Sequence, residues 1–68
     1  MDQLECRITI DHLSATEFAL GMYDPARGRH EPRGRHPTSR IDRIVGDLRD
    51  RMERERHRVT YSEVWGQR

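Results

Sequence analysis

The residues with the most distinctive chemistry lie between Arg27 and Pro37. This stretch reads Arg27-Gly28-Arg29-His30-Glu31-Pro32, then Arg33-Gly34-Arg35-His36-Pro37. An Arg-Gly-Arg-His unit thus occurs twice, six residues apart, and a proline follows each copy. Guanidinium groups are planar, permanently charged forks suited to phosphates and base edges. Glycine lacks Cβ and lets a backbone approach another surface. Proline fixes φ and favours extended chain on either side. Such a ribbon suits nucleic acid, with Arg27, Gly28, Arg29, Arg33, Gly34 and Arg35 as the contact residues. From Asp24 to Arg40 five arginines face only Asp24 and Glu31, a local excess of +3.

Pro32-Arg33-Gly34-Arg35-His36-Pro37 resembles the AT-hook, whose core is Pro-Arg-Gly-Arg-Pro. The likeness covers these six residues, and His36 stands before the closing proline. It implies insertion of the arginines into the minor groove of A·T-rich DNA, where a narrow groove concentrates negative potential. Arg-Gly segments also fold onto RNA, but the resemblance puts DNA first.

A second candidate surface lies near the end of the sequence, at Tyr61 and Trp65. Arginine and aromatic residues are favoured at protein interfaces as well. The rival expectation is therefore a small non-enzymatic adaptor or inhibitor that docks on a larger protein through Tyr61, Trp65 and the apolar helix stripe that begins at Ile41.

Other chemistry has little support. Cys6, His12, His30 and His36 are spaced C-x5-H and H-x5-H, without the tight ligand pair of structural zinc sites. No metal or cofactor is expected. A nucleophilic Cys6 needs exposure and an adjacent base, whereas its strand position is on an apolar face. No catalytic residues are assigned, and the chain is not expected to be an enzyme.

The 68 residues set a ceiling of one domain. Leu, Ile, Val and Phe together number 12, while 37% of residues are charged. A core this thin, with one cysteine and no internal disulfide, points to dimerisation or docking on a partner. Thirteen arginines against twelve acids give a net charge of +1, which disfavours bulk electrostatic coating of DNA. All thirteen cations are arginine; GC-rich coding and a need for forked donors both produce that bias. No apolar run approaches the ~20 residues of a membrane span. No signal peptide is visible, and with a lone thiol the expected compartment is the cytoplasm.

The elements that must hold these residues follow from periodicity. Leu4, Cys6, Ile8 and Ile10 alternate with Glu5, Arg7, Thr9 and Asp11, the pattern of a half-buried strand. Ser14 and Glu17 have capping-box spacing, Leu13 and Phe18 staple spacing. Ala15, Phe18, Ala19 and Met22 then follow helical spacing up to Asp24-Pro25. A further helix is expected after Pro37, with Ile41, Ile44, Val45, Leu48 and Met52 as its stripe. Val59-Thr60-Tyr61 has strand character and is expected to pair antiparallel with Leu4–Ile10, although Thr60 and Glu63 also have the spacing to cap a third helix that Gly66 would cut short. The fold expected is thus a small α+β domain over residues 1–68 with β-α-α-β order. Two helices rest on a two-stranded antiparallel sheet, and Asp24–Ser39 forms a long exposed basic loop between them.

Overall fold

The computed structural model describes residues 4–65. Strand β1 (Leu4–His12) covers the alternating segment and turns at Leu13–Thr16 into β2 (Glu17–Asp24). A second turn leads to β3 (Arg29–Pro37). A 3-10 turn at Thr38–Arg40 opens helix α1 (Ile41–Arg54), and β4 (His57–Trp65) follows. The four strands form one mixed sheet in the order β3-β2-β1-β4. β1 is antiparallel to β2 and parallel to β4. A parallel neighbour requires a crossover, and α1 supplies it.

The α+β class stands, but the expected β-α-α-β arrangement does not. There are four strands and one helix among the described residues. Residues 15–22 illustrate the physical reason. Phe18, Leu20 and Met22 repeat every second residue, while Ala15, Phe18, Ala19 and Met22 also fit a helical period. The helical reading leaves Leu20 off the apolar face. The strand reading turns Phe18 and Leu20 inward, and both are buried. A two-turn helix is also costly to nucleate, whereas β2 gains a ladder on both sides.

The capping residues serve a turn instead. The Thr16 N–H donates to Ser14 Oγ at 3.2 Å, and the Leu13 N–H to the Glu17 carbonyl at 3.0 Å. Asp24, expected to stop a helix, accepts from the Ala26 N–H at 3.0 Å and shapes the β2–β3 turn.

The expected basic loop is mostly strand β3. Its register against β2 is Ala19 with Arg35, then Gly21 with Pro32. Arg33 and Gly34 together oppose Leu20, which makes a β-bulge. Gly34 occupies it with φ of +85°, and Gly28 closes the preceding turn with φ of +63°. Each copy of the repeat thus supplies one left-handed glycine. The bulge also changes the phase of the strand. His36 stands beside Phe18 on the helix side, whereas His30 stands beside Tyr23 on the open side.

The core joins Cys6, Ile8 and Ile10 of β1, Phe18 and Leu20 of β2, and Leu48 and Met52 of α1. Ile41, Ile44, Val45 and Val59 pack around them. On the open face, His30 Nε2 lies 3.2 Å from Thr9 Oγ1, across Gly21. A Cβ built on Gly21 would stand 2.6 Å from His30 Nε2 and 2.7 Å from Thr9 Oγ1. The Gly21→Ala substitution is expected to destabilise the fold by about 1–3 kcal/mol through overpacking. Replacing His30 by alanine should relieve part of that loss, with a coupling above about 0.5 kcal/mol in a double-mutant cycle. Additive melting shifts would contradict this packing.

Candidate functional site

The sheet has two outer edges, and their chemistry differs. β3 forms one. It carries Pro32, the Gly34 bulge, Pro37 and four charged residues. Prolines, bulges and charges are the devices by which edge strands resist pairing with another chain. β4 forms the other edge. Its nine residues contain neither proline nor glycine, and charge is limited to Arg58 and Glu63 beside His57. Among the described residues, three of the four large exposed hydrophobic side chains lie on it: Tyr61, Val64 and Trp65, at 49%, 56% and 63% exposure.

Register explains why these side chains are exposed. Tyr61 stands beside Ile8, and Trp65 beside His12, on the helix side of the sheet. The core strip of α1 contributes its buried residues, Leu48 and Met52, over the strand interior. At the periphery the helix leaves a cleft of about 580 Å³, bordered by His12, Thr38, Asp42, Arg49, Glu63 and Trp65. Val64 belongs to the opposite face, beside Asp11.

Trp65 is held in place. Its indole stacks on the His12 ring at 3.7 Å between centroids, with the planes 3° apart. His12 is buried, and its Nε2 pairs with Glu63 Oε2 at 2.7 Å. With the carboxylate as acceptor, the ring nitrogen is the donor. Glu63 therefore fixes His12, and His12 supplies a flat platform for one face of Trp65. The indole remains largely exposed. An immobilised aromatic side chain loses little entropy on binding. The Arg49 guanidinium is held above its ordinary value, first by the hydrogen bond to Asp50 and then by Tyr61. Arg49 thus borders the same exposed strip.

The repeat residues are placed differently from one another. Arg27 lies in the β2–β3 turn, 3.6 Å from Asp24. Arg29 stands beside Asp24 at the start of β3. Arg33 is partly covered, with Nη2 bonded to Glu31 at 3.3 Å. Its Nε is buried without a hydrogen-bond partner among the described residues. Arg35 stands beside Ala19 on the open face. The fold does not gather the four guanidinium groups on one face. Gly28 and Gly34 serve the turn and the bulge.

The other titratable groups are engaged locally. His36 Nε2 donates to the Arg33 carbonyl at 2.9 Å. Cys6 is buried in the core, and desolvation, with a lesser contribution from Asp24, raises its thiol above the ordinary value. Among the described residues no group of three metal-ligating side chains converges. No described helix is long and apolar enough to cross a membrane.

Tyr61 and Trp65 were legible as aromatic residues near the end of the sequence. The pairing of His12 with Glu63 was not, because 51 residues separate them. The only sequence signal was that His12 continues the alternation of Cys6, Ile8 and Ile10 onto the buried face. Comparison with protein-family models, curated proteins and solved structures finds no match to this chain.

Glu63→Ala leaves the buried His12 donor unpaired. It is expected to cost about 1–3 kcal/mol and to change the emission of Trp65, the sole tryptophan. Thermal melts and steady-state fluorescence check both effects. An unchanged melt and spectrum would show that the stack does not depend on Glu63.

Proposed function

We propose that the protein is a small non-enzymatic docking module, an adaptor or inhibitor. It binds a larger protein by offering the β4 edge to an extended strand. The observation that carries this reading is the contrast between the two edges. β3 is defended by Pro32, Pro37 and a bulge, whereas β4 is long, regular and flanked by exposed Tyr61, Val64 and Trp65. Strand addition joins the partners through main-chain hydrogen bonds and takes specificity from alternate side chains. Here Tyr61 and Trp65 would receive the partner on the helix side and Val64 on the other.

Nucleic-acid contact is the second reading. It draws on the exposed Arg27, Arg29 and Arg35 of the β2–β3 hairpin, and β-ribbons do enter DNA grooves. It ranks second because both glycines of the repeat have conformational duties and register puts Arg29 and Arg35 on opposite faces of the sheet. An isolated AT-hook ribbon has neither constraint.

A photo-crosslinking residue at Tyr61 or at Arg35, introduced in the source cells, separates the two readings. Docking through β4 is expected to give a discrete adduct with a foreign protein from position 61, lost when Val64→Glu places a charge on the exposed edge. A nucleic-acid adduct from position 35, with none to protein from position 61, would overturn the docking reading in favour of its rival.

A further inference from the structure

We infer that in the isolated chain the β4 edge is occupied by a second copy of itself. The two strands run antiparallel about a two-fold axis through Tyr61. This rests on the reading of β4 as the docking edge and commits that edge to a particular occupant. The result is a continuous eight-stranded sheet, since each copy contributes four strands. A two-fold axis perpendicular to the sheet keeps equivalent faces on the same side, so both helices cover one face.

The register follows from the strand itself. Tyr61 is the midpoint of His57–Trp65, so an axis there gives all nine residues of β4 an opposite. Tyr61 meets Tyr61 of the second copy, an aromatic pair at the centre. His57 meets Trp65 of the second copy at each end. Thr60 meets Ser62, a pair of hydroxyl side chains. Aromatic and hydroxyl cross-strand pairs are among the favourable ones. Arg58 falls opposite Val64, and Glu63 opposite Val59, so no like charges confront each other.

Other registers do less. Directly opposite residues share a face in an antiparallel ladder, so the axis can move only from one residue to the next. An axis at Thr60 leaves Val64 and Trp65 beyond the paired strand. An axis at Ser62 gives up His57 and Arg58. Only the axis at Tyr61 uses the full edge; the axis at Ser62 also covers the three exposed hydrophobic residues but leaves two residues of the strand unpaired.

The need for such cover is independent of register. The buried apolar core comprises seven residues among those described. A core of that size rarely stabilises a chain without a staple or a partner, and the single thiol is already buried in it. Self-pairing and docking on a foreign strand use the same backbone groups. They are therefore mutually exclusive, and the homodimer is the form that a client must displace.

The test uses the full chain. Sedimentation velocity over about a hundredfold concentration range should show a monomer–dimer equilibrium. Single cysteines at Thr60, Tyr61 and Ser62 then read the register under mild oxidation. Opposite residues in an antiparallel ladder have Cα atoms about 4.5–5.5 Å apart, within disulfide reach. Tyr61→Cys should therefore cross-link to a covalent dimer at least tenfold faster than T60C or S62C. The parent chain, with only buried Cys6, should not cross-link. Fastest cross-linking at Thr60 or Ser62 would overturn the register. A monomer at every concentration, with no cross-link from Tyr61→Cys, would overturn self-pairing altogether. It would leave docking intact, because that reading depends on the foreign-protein adduct from position 61. Loss of that adduct while the dimer persists would overturn docking alone.

Discussion

Backbone N–H and C=O groups along the edge of a sheet need hydrogen-bond partners, and this small domain has two edges to provide for. The interior has nothing to spare for the task. Helix α1 is committed to one face of the sheet, where Leu48 and Met52 join Ile8 and Phe18 in the core. Each edge is therefore handled by its own sequence. β3 is made unsuitable for pairing by prolines and a bulge. β4 is left regular. The functional proposals all descend from that asymmetry.

The Arg-Gly-Arg-His repeat acquires a different meaning in this setting. One glycine closes a turn and the next makes the bulge. Because the bulge inserts one residue, two histidines six positions apart face opposite sides of the sheet. His30 crosses Gly21 to reach Thr9, and His36 returns to the Arg33 carbonyl beside Phe18. The first copy of the repeat spans the turn and the start of β3, and the second spans its bulge. The arginines add charge to an edge that is better left unpaired. That role requires no nucleic acid.

Parts of the fold were legible and parts were not, for identifiable reasons. The alternation at Leu4–Asp11 and the stripe from Ile41 to Met52 each satisfy a single period, and each marks its element. Phe18 was legible as core because either period turns it inward. Residues 15–22 satisfy both periods, and only the presence of β1 beside them selects the strand. β3 has no apolar residue to report an alternation, since its burial falls on His36 and the stem of Arg33. Its pairing is imposed by the hairpin and could not be read locally. Val59–Tyr61 gave strand character, but the antiparallel pairing with Leu4–Ile10 expected for it is overturned, because β4 lies parallel to β1. The parallel pairing with β1 follows from where α1 delivers the chain. At the candidate site, Tyr61 and Trp65 were visible as residue types. Their common edge, and the His12–Glu63 support beneath Trp65, exist only after the sheet is assembled.

Amide hydrogen exchange tests most directly whether β4 is the working edge. The informative amides are those of β4 that point away from β1, compared with those of β3 that point away from β2. With β4 paired, its outward amides become slower to exchange as protein concentration rises, while the outward amides of β3 remain fast at every concentration. Outward amides in β4 that exchange as fast as those of β3, with no dependence on concentration, would contradict the account.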